Sequence, residues 1–199
     1  MITVFERPPE TVKVGGRIYP INTDFRAGIE LECAVLHNRI DLAQLLQMYY
    51  PVCIPTDLEG AVDAMMQFYR CGSAEEAQDD AKSHAPSLRA YDFEQDADAI
   101  YAAFRAVYDI DLDTAQLHWW TFRRLLRGLP EDCEFMRRVY VRTADLSQMG
   151  KEQRKSIQKL RNKYALRKGG KRMTLAERNA AMLEYAAKRL EAAQCSTRK

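Results

Sequence analysis

The chain has 199 residues with 47% hydrophobic composition, which is enough to bury a core and suits one main domain. No apolar run approaches the roughly 18 residues that a membrane span needs, and the N-terminal MITVFERPPE carries acidic residues and prolines where a signal peptide needs an apolar stretch. We therefore expect a protein of the cytoplasm with no membrane partner.

The formal net charge of +2 is unevenly distributed along the chain. Residues 151–199 hold 15 Lys/Arg and 4 Asp/Glu, a net charge of +11, whereas residues 1–150 hold 15 and 24, a net charge of −9. Such asymmetry is typical of a nucleic-acid contact or of a basic tail that docks on an acidic surface, its own included.

The first predicted element is a β-hairpin in the stretch TVKVGGRIYPI. Two short β-branched runs flank Gly15 and Gly16, and such a pair tolerates the positive φ angles of a two-residue hairpin turn. Because an isolated hairpin is marginally stable in water, this one is expected to lie on helices, to extend into a larger sheet or to pair with another subunit.

From Asp24 onward the apolar spacing is helical, and each predicted helix follows a capping residue. Asp24 and Asp41 are expected to cap the first two helices. Thr56 opens a T-x-x-E capping box for the third helix, and Gly72 is its expected stop.

The third helix carries a methionine-rich apolar face. Such a face is typical of a packed core, but it also suits an adaptable groove that accepts a partner. The partner-contact candidates on this helix are Met65, Met66 and Phe68.

Residues 73–90 are polar, acidic and broken by proline, which predicts a connecting loop. Asp92 is expected to cap the next helix. The DIDLD stretch that follows resembles the start of an EF-hand loop, but Thr114 replaces the turn glycine and Trp120 the bidentate glutamate, so no calcium site is expected. Asp113 is instead predicted to cap the helix that follows.

The stretch LHWWTFRRLLRGL, Leu117–Leu129, contains both tryptophans of the chain. On a helical wheel His118, Trp119 and Phe122 share an arc of roughly 120° with three leucines, the width of a core-facing stripe. His118 is expected to make a satisfied hydrogen bond in or near the core. The residues expected to face outward or toward a partner are Trp120, Arg123, Arg124 and Arg127.

After Pro130 an amphipathic segment is predicted to bury Phe135, Met136, Val139 and Tyr140 on one side. A basic, sparsely apolar region follows, then a KGGKR hinge and a final alanine-rich helix. The basic region favours either a solvated helix that neutralises the acidic body or a phosphate contact. Its candidate residues are Lys151, Arg154, Lys155, Lys159, Arg161, Lys163, Arg167, Lys168, Lys171 and Arg172.

No catalytic constellation stands out in the sequence. The three histidines are far apart, none of the common nucleophile, zinc or phosphate-loop motifs occurs, and the five cysteines are odd in number and widely spaced. We therefore expect no enzyme activity, no catalytic residue, no metal site and no cofactor.

These patterns together predict a mainly α protein, a multi-helix bundle with a small N-terminal β-hairpin. The predicted organisation is a hairpin segment at residues 1–23, an acidic helical core domain at 24–146 and a basic helical extension at 147–199.

Three stretches carry a resemblance to a known family: GGRIYPINTDFR, IPTDLEGAVDAMMQFYRCG and YDFEQDADAIYAAFRAVYDIDLDTAQLHWWTFRRLLRGLPED. They resemble the tailed-bacteriophage gp-fifteen proteins from about Val12 to Leu166, and the IDL stretch followed by LHWW-x-F is the most specific part. The last thirty or so residues lie outside the resemblance.

The resemblance implies a noncatalytic protein of the tail-morphogenesis module, similar to the tail assembly chaperones of long-tailed phages. Such a chaperone would bind the tape-measure protein in the bacterial host cytoplasm before tail-tube subunits polymerise around it. The implied partners are the tape-measure protein and the tail-tube protein, together with self-association. The alternative function is nucleic-acid binding through the basic C-terminal region.

Overall fold

The computed structural model describes residues 7–37, 39–72, 90–147 and 149–166. Within them the chain is mainly α-helical with one two-stranded antiparallel sheet, which confirms the predicted fold class. The elements in chain order are β1 (Thr11–Val14), β2 (Arg17–Pro20), α1 (Phe25–Leu36), α2 (Leu42–Tyr49), α3 (Leu58–Tyr69), α4 (Ala97–Tyr108), α5 (Trp119–Arg127), α6 (Glu134–Thr143) and α7 (Lys151–Lys163).

The described residues divide into two compact units. The first contains residues 7–37, 39–72 and 117–121, and the second contains 90–116, 122–147 and 149–166. The boundaries of these contact-based units differ from those of the three segments expected from the sequence. The three-segment organisation stays a prediction.

In the first unit the hairpin lies on helix α3. Packing on helices was one of the three arrangements expected from the sequence. The strands pair in register from Thr11 opposite Pro20 to Val14 opposite Arg17. Gly15 and Gly16 have φ angles of 54° and 82°, the positive values that the two-residue turn was expected to need. Strand β1 contacts α3, and Val14 is buried there.

Aspartates cap the first three helices. Asp24 and Asp41 cap α1 and α2 as expected, each accepting a hydrogen bond from a backbone N–H of the first turn. The third cap was placed one residue too early: Asp57, and not Thr56, accepts from the N–H of Gly60 at 3.0 Å. Backbone with positive φ at Cys71 and Gly72 ends α3, so Gly72 lies at the predicted stop.

Two further caps were predicted wrongly, because other backbone structure occupies those positions. Asp92 accepts from the N–H groups of Glu94 and Gln95 and so closes a turn, and α4 begins only at Ala97. Asp113 does not cap α5, which begins at Trp119 because the residues just before it form a β-bridge with Asp24.

In the second unit α6 contacts α4 and α7. The buried side of α6 differs from the predicted stripe: Phe135 is buried as expected, but Tyr140 is 52% exposed, and Val141 and Arg142 are buried instead. Residues 73–89 of the predicted 73–90 loop lie outside the described residues, as do the predicted hinge and final helix beyond residue 166. Within the described part of the chain, no helix has the length and apolar character needed to cross a membrane.

Candidate functional site

Both tryptophans of the LHWW stretch are buried in the first unit, with 1% of Trp119 and 6% of Trp120 exposed. The prediction that Trp120 faces outward is therefore wrong. A helical wheel assumes one apolar partner face, but Trp120 is in the first turn of α5 and packs on Phe68, with ring centroids 5.6 Å apart.

The two indoles act together on the C-terminal end of α3. The Nε1–H of Trp120 donates to the carbonyl of Phe68, and the Nε1–H of Trp119 donates to the carbonyl of Tyr69, each at 2.8 Å. The last carbonyls of a helix have no partner within the helix, and Trp119 supplies one for the carbonyl of Tyr69. The carbonyl of Phe68 also accepts from the N–H of Cys71 at 2.8 Å, so Trp120 adds a second hydrogen bond there. The tandem tryptophans are therefore a capping device for α3.

Trp119 is held between α3 and α1. Its ring stacks on Tyr69 with centroids 5.4 Å apart and planes 17° apart. On the other side it lies against Gly28 of α1, where a Cβ atom would overlap the indole ring. A larger residue at position 28 would thus displace the ring that caps α3.

Backbone bonds fix the approach of the LHWW stretch to α1. The N–H of Phe25 donates to the carbonyl of Leu117 at 3.0 Å, and the N–H of Trp119 donates to the carbonyl of Thr23 at 2.7 Å. These two bonds form the β-bridge that replaces the start of the predicted helix.

His118 uses both ring nitrogens in this arrangement. The N–H of Trp120 donates to Nδ1 at 3.0 Å, and Nε2 lies 3.1 Å from the carbonyl oxygen of Pro9. Because Nδ1 accepts a hydrogen bond, the hydrogen-bond network assigns the neutral tautomer with its proton on Nε2. The prediction of a satisfied histidine in or near the core is confirmed.

The remaining partner-contact candidates separate by burial. Met65, Met66 and Phe68 are buried in the first unit, so they belong to its core and offer no exposed groove there. Arg124 and Arg127 are exposed and Arg123 is half-buried, so only the arginines of the predicted outer face reach the surface.

A narrow crevice in the first unit lies beside Trp119. Its lining includes Asn22, Asp24, Tyr49 and Tyr69, and its cavity volume of about 10 Å³ has room for at most one water molecule. The hydroxyl of Tyr49 is buried and has no hydrogen-bond partner among the described residues, and burial raises the pKa of this phenol far above its ordinary value. The crevice is too small for a substrate or cofactor.

The second unit contains a buried ion pair that the sequence patterns did not reveal. Asp96 is fully buried and binds the guanidinium of Arg142 through two bonds, Nη1 to Oδ2 at 2.6 Å and Nη2 to Oδ1 at 2.9 Å. Arg138 adds a longer contact to Asp96 at 3.4 Å. The available signal was the position of Arg142, seven residues after the buried Phe135 and so on the same helix face.

The basic candidates of α7 divide into arginines that bind backbone carbonyls and lysines that are exposed. Arg161 donates from Nε to the carbonyl of Val141 at 3.0 Å and from Nη2 to that of Ala144 at 2.6 Å, at the end of α6. Arg142 in turn donates from Nε to the carbonyl of Tyr164 at 2.7 Å, at the end of α7. Arg154 bonds the loop before α7 through the carbonyls of Ser147 and Met149.

The lysines of α7 are at the surface of the protein. Exposed side chains are Lys151, Lys155, Lys159 and Lys163. The candidates Arg167, Lys168, Lys171 and Arg172 lie outside the described residues. In the part of the chain that the structure describes, no three His, Cys, Asp or Glu side chains come together as a metal cluster.

A comparison with family models connects these features to known proteins. A model described as Bacteriophage Gp15 protein matches residues 5–166, about four fifths of the chain. No curated protein and no solved structure matches the chain. Because the match runs from before the hairpin, through the capping tryptophans and the buried ion pair, to the end of α7, the chain belongs to the Bacteriophage Gp15 protein family.

Proposed function

We propose that this phage protein is a noncatalytic tail assembly chaperone that binds the tape-measure protein in the host cytoplasm before the tail tube polymerises. The observation that carries the proposal is the family match over residues 5–166, which points to a phage structural or morphogenesis protein. The tail-tube protein is the second proposed partner, because the chaperone must release its cargo where tube subunits arrive.

The structural roles of the histidine, the tryptophans and the buried ion pair support a binding function. His118, Trp119 and Trp120 are committed to hydrogen bonds and packing around α3, and the buried Asp96 and Arg142 neutralise each other. A holdase for a long helical protein needs apolar and adaptable surface, and it needs no reacting group.

The contact with the tape-measure protein is proposed for a short apolar segment between α2 and α3. Val52, Cys53 and Ile54 are three consecutive exposed residues, and Val52 is 74% exposed. They lie between Pro51 and Pro55, and Pro55 is buried, so the segment is anchored and restricted in conformation. A restricted apolar segment loses little conformational entropy when an apolar helix binds it.

The test is coexpression of the chain with the tape-measure protein encoded in the same phage genome. We expect the wild-type chain to raise the soluble fraction of the tape-measure protein and to copurify with it. The double variant Val52→Ser/Ile54→Ser should lose both effects. The matched control is Ile18→Ser, because Ile18 is 72% exposed on the outer face of the hairpin.

Two results would contradict these proposals separately. If the tape-measure protein is equally soluble without the chain and does not copurify, the chaperone function is wrong. If the double variant still protects and binds it like the wild-type chain, the function stands but the 52–54 contact is wrong.

Nucleic-acid binding is the second candidate function, and the exposed lysines of α7 favour it. Phosphate contacts by lysine weaken steeply as salt concentration rises. A gel shift with duplex DNA at low and high salt tests this function, and the absence of a shift at low salt removes it.

A further inference from the structure

The outer surface of α7 carries one uninterrupted row of lysines. Lys151, Lys155, Lys159 and Lys163 recur every four residues and are all exposed. Each step of four residues advances about 6 Å along the axis and about 40° around it, so the row covers roughly 18 Å of helix within an arc of about 120°.

The row lies opposite the side of α7 that packs on its own unit. The half-buried residues of α7 and its C-cap are Ile157, Arg161 and Tyr164, and Arg161 binds carbonyls at the end of α6. On the helical wheel the centre of this inner side is about 180° from the centre of the lysine row. The lysines therefore project away from the unit, into the surroundings of the molecule.

Among the described residues, no acid neutralises the row through an ion pair. No ion pair joins the four lysines to another described residue, and Lys163 only lies over the ring of Tyr164 at 5.3 Å. Glu152 is the one acidic residue of α7, and it too is exposed. Like charges four residues apart destabilise a helix, so binding negative charges along the row would relieve this repulsion.

A complementary acidic pair is exposed on α3. Glu59 and Asp63 are four residues apart on the outer side of that helix, with no ion pair to any described residue. Their spacing of about 6 Å along the axis equals the repeat of the lysine row. Outside α7, the other exposed acids of the described residues that make no ion pair do not form a pair at this spacing: Glu10, Glu30, Asp57, Asp98, Glu131, Asp132 and Asp145.

We propose that the lysine row of α7 docks head to tail on the Glu59 and Asp63 pair of a second copy of the chain. A nucleic acid is the less favoured occupant, because residues 1–150 carry a net charge of −9 and repel a phosphate backbone. The same negative charge attracts the basic α7 of another copy, so it favours self-association.

The contact joins two different surfaces, so it is heterologous. The acidic pair of the first copy stays available after its lysine row has docked, and successive copies can add until a ring closes or a filament forms. The association is also salt-sensitive, because exposed charges are screened over about 10 Å at 0.1 M ionic strength and over about 3 Å at 1 M. The inference concerns the chain alone and does not rest on the proposed tape-measure binding.

Sedimentation velocity of the full chain at several concentrations, at low and high salt, tests the proposal. We expect the weight-average mass at low salt to rise with concentration beyond that of one chain, and to return to one chain at high salt. Lys155→Glu/Lys159→Glu and Glu59→Lys/Asp63→Lys should each remain monomeric at low salt. An equimolar mixture of these two variants should associate again, because each supplies the surface that the other has lost.

The matched control is Lys13→Glu/Arg17→Glu, which changes the net charge by the same amount as the lysine variant at exposed hairpin positions. It should associate like the wild-type chain, and circular dichroism should show all variants folded.

Several results would overturn the proposal. They are a monomeric wild-type chain at low salt, a reversed variant that still associates, and a mixture that stays monomeric. The proposal also fails if the chain is monomeric but shifts duplex DNA and loses that shift in Lys155→Glu/Lys159→Glu, since the row would then serve nucleic acid.

Discussion

At the scale of single residues, the two adjacent tryptophans have equivalent structural roles. Both are buried, and both donate an indole hydrogen bond to a carbonyl at the end of α3. Residues next to each other in a helix point about 100° apart, so equal burial requires protein on two sides of the first turn of α5. The two adjacent tryptophans therefore stabilise α3 and the residues packed around it. They do not form a surface for a partner.

The first prediction is that Trp119→Ala and Trp120→Ala destabilise the fold by similar amounts. Truncation of a buried tryptophan costs about 3–5 kcal/mol, and each variant also removes a cap from α3. Urea unfolding measures the loss, with Arg124→Ala as the exposed control expected to change stability by less than about 0.5 kcal/mol. A loss for Trp120→Ala as small as that of the control would contradict the capping role.

The second prediction concerns Gly28, where helix propensity and packing have opposite signs. Alanine in place of glycine within a helix normally stabilises it by about 0.5–1 kcal/mol. At position 28 the added Cβ overlaps the ring of Trp119, and overpacking of this kind costs about 1–3 kcal/mol. We expect Gly28→Ala to lower the free energy of unfolding, and a measured increase would show that the ring shifts without cost.

At the scale of elements, helix ends in the second unit are held by arginines. Arg142 of α6 donates to the last turn of α7, and Arg161 of α7 donates to the last turn of α6. Each cation also lies near the negative end of a helix dipole, where positive charge is favoured. Arg142 and Arg161 thus stabilise the ends of α6 and α7, a structural role that their charge alone does not predict.

The third prediction is that Arg142→Ala destabilises the second unit by about 3–5 kcal/mol, because it leaves Asp96 charged, fully buried and without its bidentate partner. The double variant Asp96→Leu/Arg142→Met should recover much of this loss, since it removes both charges. Thermal unfolding of the two variants tests this. Equal destabilisation would mean that the charge of Asp96, left with only the longer Arg138 contact, is not the cause.

The fourth prediction concerns the tyrosines at the end of α2. The hydroxyl of Tyr50 donates to the carbonyl of Ala61 in α3 at 2.7 Å, and burial raises the pKa of Tyr49 and Tyr50 above the ordinary value for a phenol. A raised pKa in the folded state means that stability is fully present below pH of about 10, where an unfolded tyrosine ionises, and is lost as pH rises further.

Spectrophotometric titration of tyrosinate tests this alkaline transition. Exposed tyrosines should ionise first, and Tyr49 and Tyr50 should ionise only as the fold is lost. Tyr50→Phe should remove one phenol from the late step. Complete ionisation of all tyrosines with the fold intact would contradict the assignment.

Periodicity in the sequence predicted the type of element better than its boundaries or its exposed side. The hairpin turn and the caps Asp24 and Asp41 follow from local rules that act within a few residues. Trp120 and Arg142 do not, because contacts with residues 52 and 46 positions away in the chain decide their burial. A helical wheel contains no information about such partners.

At the scale of the whole molecule, the described chain forms two compact units, and helix α5 contains residues of both. Trp119–Thr121 belong to the first unit, and the rest of α5 belongs to the second, where Phe122 stacks on Phe104 with ring centroids 5.1 Å apart. The first unit depends on the capping tryptophans, and the second depends on the Asp96–Arg142 pair. Each unit therefore has its own stabilising centre.

The fifth prediction is that these centres stabilise their own units, since cooperative units of a native protein open with separate free energies. In hydrogen-exchange mass spectrometry, Gly28→Ala should lower amide protection mainly in residues 7–72 and Arg142→Ala mainly in residues 90–116 and 122–166. Wild-type protein at the same pH and temperature is the reference. If either substitution lowers protection equally in both sets of residues, the described chain opens as one cooperative body, and the stability of each centre is shared across α5.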